Sequence, residues 1–295
     1  MHSHLSLPFR PELKQAPPSS PPETLWIYSF QGRFSPSATR TLVDFLGTWV
    51  EEDLSFLFFL RPAEKQIQKL EHMFPEVTRL DSYQMSYAEW VGGELLPFSV
   101  GRIHIHPVWA CSQARPDMHS IALDPGVVFG GGTHRTTLDC LQALNFLARE
   151  EGKGRLLDIG SGTGILALAA AKLGWSRVVA VDLNPLAAWT SKVNVELNGL
   201  AGSVLPVQGR AEDILHLPAH TVVANIHYDI MARLVRMQSF RDKPRFVLSG
   251  LLRSQALALL QELKARGALI DGVLDDGTWF TLVGRHQARL RAVKV

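Results

Sequence analysis

An α/β fold is predicted: a doubly wound parallel sheet whose last strand runs antiparallel, preceded by a small N-terminal α+β module. Three observations lead there. From about Leu138 onward, β-branched apolar runs alternate with segments of helical periodicity, the pattern of βα units. The last two runs, "LIDGVLD" and "TWFTLVG", have no helix between them and so predict a closing hairpin. Ahead of this, residues 24–84 mix shorter strand-like and helix-like segments. The 295 residues, 46% hydrophobic and 20% charged, suffice for two cores.

In chain order, residues 1–23 are rich in Pro and Ser and lack an apolar h-region, so they read as a disordered leader and not as a secretory signal. Residues 24–84 read as a βαβα module: strand "TLWIYSF", helix "SATRTLVDFLGTWVEE" with Ser35 or Ser37 as cap, strand "LSFLFFL", helix "AEKQIQKLEHMF". The run "LSFLFFL" falls far short of the ~20 residues a membrane span needs, and no membrane association is expected. Residues 85–118 read as a linker leading into a strand. There His104 and His106 alternate onto one face, but no third ligand stands at a metal-binding spacing, so no metal is expected. Residues 119–288 form the expected main domain and 289–295 a tail. A net charge of +2 argues neither for nor against nucleic acid, but the chain has no basic stripe, so direct nucleic-acid binding is not expected. The two cysteines, Cys111 and Cys140, fit inert thiols in a reducing cytoplasm.

The stretch "LLDIGSGTGILALAA" carries the most chemistry. A strand ends at Asp158, Gly160, Gly162 and Gly164 follow, and a helix begins. Glycines let the chain turn sharply and let a ligand approach the main chain. The spacing is G-x-G-x-G, with an acid two residues ahead of the first glycine. A diphosphate would be repelled by that acid, whereas S-adenosylmethionine (SAM) brings an amino group. The next strand ends in "VVAVDLNP", placing Asp182 where an acid hydrogen-bonds ribose hydroxyls. Nicotinamide and SAM proteins share that feature. Taken with the closing hairpin, these residues favour a Rossmann-like class I methyltransferase domain.

"VVANIHYDI" ends a later strand, and reactive chemistry gathers at the carboxyl ends of such strands. Asn225 therefore reads either as a group near the methyl donor, able to accept a hydrogen bond from an amine, or as a turn residue. The glycine-dense "DPGVVFGGGTHRTT", residues 124–137, has too much glycine for a strand or helix interior and reads as a loop, either a plain turn or one lying against a ligand, with Thr136 or Thr137 near a helix start.

In order, "LDPGVVFGGGTHRTT", "LLDIGSGTGILALAAAKLG", "VVAVDLNP", "VVANI" and "LSGLLRSQ" resemble the PrmA-type methyltransferases over about residues 85–285. That family methylates amines of ribosomal protein eleven of the large subunit, mainly lysine side chains and the N-terminal amine. The resemblance implies that Thr137, Gly160, Asp182 and Asn225 contact SAM, that Asn225 also lies beside the acceptor amine, and that Phe129 to Thr133 cover the cofactor. The N-terminal module would dock the protein substrate. Three positions depart from the family pattern. Gly131 stands where Thr is usual. Arg210 stands where an acid is usual, leaving Glu212 or Asp213 to reach the adenine amine. His227, Tyr228 and Asp229 replace small apolar residues on the acceptor side. His227 reads as a general base, a substrate-lining residue or simply an exposed one. Because "NIHY" is similar to N-P-P-Y motifs, Tyr228 also admits a rival reading, stacking on a planar amide or base. A related enzyme acting on another protein's lysine is the second rival, and a non-catalytic SAM-binding protein the third.

Overall fold

The computed structural model describes residues 20–39, 41–110, 114–149 and 153–286. Residues 1–19 of the expected leader, the expected tail 289–295 and Cys111 lie outside the described residues. The N-terminal module runs β1 (Thr24–Gln31), α1 (Pro36–Thr39), β2 (Phe45–Glu51), β3 (Leu54–Phe59), α2 (Glu64–Met73) and β4 (Thr78–Ser86). Its strands pair antiparallel in the order β2-β3-β1-β4.

The helix expected over 37–52 is corrected here. Only the short α1 forms, and most of that stretch is β2. Asp44 takes a left-handed backbone with φ 58, which interrupts helical continuation. Beyond it, Phe45, Thr48, Trp49 and Val50 pair with β3, and such side chains suit a half-buried pleated surface. β4 has no counterpart among the expected strands. It is a mostly exposed edge, so no apolar alternation marks it. One face of this sheet packs on α2 through Phe30, Phe59, Ile67 and Leu70. The other turns Leu25, Ile27 and Phe58 toward Tyr87, Val127 and Leu186.

The expected linker stretch carries regular structure: α3 (Tyr87–Val91), β5 (Phe98–Val100) and β6 (Ile103–Pro107), with β7 (His119–Leu123) following. Ser86 and Glu89 form a reciprocal capping box on α3, and Gly92 ends that helix in the left-handed region. β6 pairs antiparallel with β5 and parallel with β7. His104 is buried, with Nδ1 2.8 Å from the Ser99 hydroxyl. Among the described residues, no three His, Cys, Asp or Glu side chains group to hold a metal.

The main sheet follows, from α4 (Arg135–Leu147), β8 (Arg155–Ile159), α5 (Ile165–Lys172), β9 (Arg177–Asp182), α6 (Pro185–Leu197) and β10 (Val204–Gln208). Then come α7 (Ala211–Ile214), β11 (Thr221–Asn225), α8 (Tyr228–Leu234), α9 (Gln238–Arg241), β12 (Arg245–Leu252), α10 (Arg253–Ala265), β13 (Ala268–Asp275) and β14 (Trp279–His286). The order is β10-β9-β8-β11-β12-β14-β13. β8 to β12 pair in parallel, while β14 inserts between β12 and β13 and runs antiparallel to both. Strands β8 and β11 are buried on both faces, as their unbroken apolar runs require. One core, around Leu141, Leu144, Leu166 and Leu168, fills one side; another, around Leu234, Phe240, Phe246 and Leu259, fills the other. The order reverses between β8 and β11, which opens a crevice at their carboxyl ends. No described helix is long and apolar enough to cross a membrane.

Candidate active site

At the end of β8 the chain leaves the sheet through the glycine loop. Gly162 sits at φ +53, and a Cβ there would lie 2.6 Å from the Phe129 carbonyl oxygen. Only glycine meets both demands. At Gly160, a Cβ would collide with Ile226. The loop is thus covered from two directions, by the residue after Asn225 and by the backbone of the 124–137 segment. Thr163 Oγ1 donates to the Gly130 carbonyl at 2.8 Å and ties the two loops together.

Asp158, fully buried beneath the glycine loop, accepts from the Ala167 N–H at 3.0 Å through Oδ2. Its Oδ1 has no hydrogen-bond partner among the described residues. Burial pushes this carboxyl up to about 7, opposed by the Ala167 N–H and reinforced by nearby Asp182. Asp182, at the end of β9, accepts from the N–H groups of Gly162 and Asn184, each at 2.9 Å. Its carboxyl is also raised by burial, with those N–H groups acting against the shift.

Asn225 ends β11. Its Nδ2 donates to Thr136 Oγ1 at 3.1 Å and Thr137 Oγ1 at 3.5 Å. Those hydroxyls belong to the first turn of α4, whose cap is His134. With the amide nitrogen so engaged, Oδ1 accepts no hydrogen bond among the described residues. From the other side, β12 shifts register between Leu248 and Leu251, and this irregularity brings Gly250 against Asn225. A Cβ at Gly250 would stand 3.0 Å from Oδ1.

The fold therefore gathers Phe129, Thr137, Asp158, Gly160, Gly162, Asp182 and Asn225 around one crevice. Phe129 contributes its carbonyl there; its ring is 60% exposed and meets His134 edge-on at 5.7 Å. His227 is exposed at the N-cap position of α8. Tyr228 is half-buried against the core below that helix, which engages the ring a stacking platform would need free. Arg210 and Arg233 approach Glu212 at 3.6 and 3.4 Å, while Asp213 is exposed. Gly131 keeps ordinary backbone, and a Cβ there would meet Leu95 at 2.9 Å.

Two residues on α6 organise the site without having been singled out in the sequence. Asn194, fully buried, pairs with both main-chain groups of Asp124 at 2.8 Å and donates to the Thr163 carbonyl at 2.9 Å. One turn on, Asn198 does the same for Ala122, at 3.0 and 2.7 Å. At the head of α6, Asn184 caps the helix and donates to the Val50 carbonyl of β2 at 3.1 Å. Leu186 fills the space that Gly47 leaves open. An i,i+4 pair of asparagines in a helix is the one signal that points to the first two.

Comparison with known proteins gives the family. The family model for ribosomal protein L11 methyltransferase (PrmA) matches residues 51–287. A ribosomal protein L11 methyltransferase of Pelotomaculum thermopropionicum is 38% identical over 189 residues, covering 63% of this chain and 61% of that protein. The chain thus spans less than two thirds of that relative's length. The Desulfitobacterium hafniense protein of the same name is 30% identical over 269 residues, 89% of this chain and 84% of the relative. Among solved structures, a ribosomal protein L11 methylase from Lactobacillus delbrueckii subsp. bulgaricus superimposes with a TM-score of 0.57 at 27% identity, covering 65% of this chain and all of that one. With its glycine loop, paired acids and strand-end asparagine in place, this chain belongs to the PrmA family of ribosomal protein L11 methyltransferases.

Proposed function

We propose that this protein transfers methyl groups from SAM to amines of a protein substrate, ribosomal protein L11, with lysine side chains as the main acceptors. Asn225 carries the reading: its amide nitrogen is held by Thr136 and Thr137, and its amide oxygen, at the carboxyl end of β11, accepts no hydrogen bond among the described residues. The residues fit the cofactor. The unpartnered oxygen of buried Asp158 needs a donor, and an ammonium supplies one where a diphosphate would be repelled. Asp182 would hold the ribose, with Gly160, Gly162 and Thr137 beside it. Phe129 and Gly130 close over the glycine loop.

SAM supplies a methyl group already activated by its positive sulfur, so the protein's part is to position the acceptor. A free lysine has a pKa near 10.4, and burial beside a cation lowers it toward the neutral form that can attack. Asn225 Oδ1 would accept an amine N–H and aim the lone pair at the methyl carbon. Bound there, SAM would supply the methyl carbon to that nitrogen, with the electron pair of the carbon–sulfur bond retained by its sulfur and the surplus proton released to water. No strong base is required, so exposed His227 has no necessary role. A ribosomal substrate puts the reaction in the cytoplasm.

Incubating the protein and methyl-labelled SAM with a cell lysate that contains ribosomal protein L11, then locating the label by mass spectrometry, tests this. Label on lysines or the N-terminal amine is expected. Label confined to RNA or DNA, or tight cofactor binding without transfer, overturns it.

A further inference from the structure

Beneath the crevice, polar groups meet in a layer that is otherwise apolar. Asn225 on β11 and Ser249 on β12 are register partners in the parallel sheet, and β14 brings Thr281 up on the other side of β12. Ser249 and Thr281 stand two residues along from Val247 and Val283, on the sheet face that packs against α4. Both are fully buried, as is Asp139 of α4, in a core that also holds Cys140, Leu141 and Leu144.

These groups form a chain. Ser249 Oγ donates to the Thr136 carbonyl at 3.3 Å and lies 2.5 Å from Thr281 Oγ1, which reaches Asp139 Oδ2 at 3.5 Å. Asp139 stands one turn along α4 from Thr136, so the chain returns to the helix it left. The other carboxylate oxygen of Asp139 lies 3.0 Å from Arg135 Nε without a hydrogen bond among the described residues. Burying these groups costs desolvation, and apolar side chains would fill the space. What the polar chain adds is a fixed position, because a satisfied buried network specifies one arrangement.

The element it fixes is the first turn of α4, which carries both hydroxyls that receive the Asn225 amide N–H. A side-chain amide has nearly the same shape at its two ends, so its partners decide which end points where. His134 Nδ1 accepts the Thr136 N–H, so the Thr136 hydroxyl 2.8 Å away gives its proton to that ring nitrogen and keeps its lone pairs for Asn225.

We propose that Ser249, Thr281 and Asp139 are positioning residues for methyl transfer: they pin the first turn of α4 to β12 and β14, which holds the Asn225 amide with its nitrogen toward that turn and its oxygen toward the acceptor. The inference rests on the reading of Asn225 given above and adds what keeps that side chain oriented.

Steady-state kinetics with recombinant ribosomal protein L11, alongside calorimetry of SAM binding, tests it. Thr281→Val keeps the shape of the side chain and deletes the hydroxyl. A misplacement of about 1 Å can cost on the order of 10²-fold in rate, so a fraction of that shift suffices for a clear effect. In Thr281→Val, kcat is expected to fall at least fivefold, with KM for the protein and SAM affinity each within twofold of the parent. Thr281→Ser returns the hydroxyl without the methyl group and is expected to recover most of the loss. Ser249→Ala, on the neighbouring strand, is expected to match Thr281→Val and supplies the reading if that variant does not fold. A kcat within twofold of the parent in every folded hydroxyl-deleted variant overturns the inference and leaves the function intact. Thr281→Ser as slow as Thr281→Val makes the effect one of packing and overturns it as well. A parent enzyme that labels no protein overturns both inference and function.

Discussion

Replacing Asp158 by Asn removes a buried charge whose cost can be worked out. The carboxyl titrates at about 7 in the fold and at about 3.9 in an unfolded chain. Because the folded value is raised, the protonated form is favoured by folding. That contribution is complete below pH 3.9 and is lost as pH rises through 7. Integrating the linkage between pH 5 and pH 8 gives roughly 2 to 3 kcal/mol of stability lost by the parent. The Asn variant does not titrate, and its amide oxygen can still take the Ala167 N–H that Oδ2 accepts at 3.0 Å. Urea unfolding of both proteins without cofactor, followed by tryptophan fluorescence, should show the variant gaining on the parent by about that amount between the two pH values. A stability difference that stays constant within about 0.5 kcal/mol over this range would refute the argument that Asp158 is an unpaired acid.

Three other outcomes are expected. Asp182→Ala should weaken SAM binding more than tenfold, about 1.4 kcal/mol, and unchanged affinity by calorimetry would remove the ribose assignment. Asn225→Ala should lower kcat by a larger factor than it weakens SAM binding; equal losses would make the residue a cofactor ligand alone. Thr163→Val keeps the side chain's shape but deletes the bond to Gly130, so limited proteolysis should cut the 124–137 segment several-fold faster than in the parent. Equal cleavage rates would show that this bond does not hold the loop down.

The sheet, the glycine loop, Asp182 and Asn225 were legible because each answers a backbone or charge requirement that few residue types satisfy. The small module was legible only in part, with β1, β3 and α2 where their apolar patterns put them. Its β2 lies within a run of helical spacing, and β4 is an exposed edge, so in both cases pairing with neighbours decided the structure. The capping box of Ser86 and Glu89 was written plainly in "SYAE" and marks a helix inside the supposed linker. Asn194 and Asn198 read as a polar helix surface, since nothing local says that a strand will lie against them. His134 was hidden because a histidine is an uncommon helix cap.

Asp182 is two residues from Asn184, and these neighbours answer to different parts of the molecule. One grips the glycine loop, while the other, with Leu186, grips the edge of the small module. The same helix goes on to fasten the segments 122–124 through its two later asparagines. The edge of the small module, the glycine loop and the 122–124 segment therefore share one fastening, the stretch from Asp182 through α6 to Asn198.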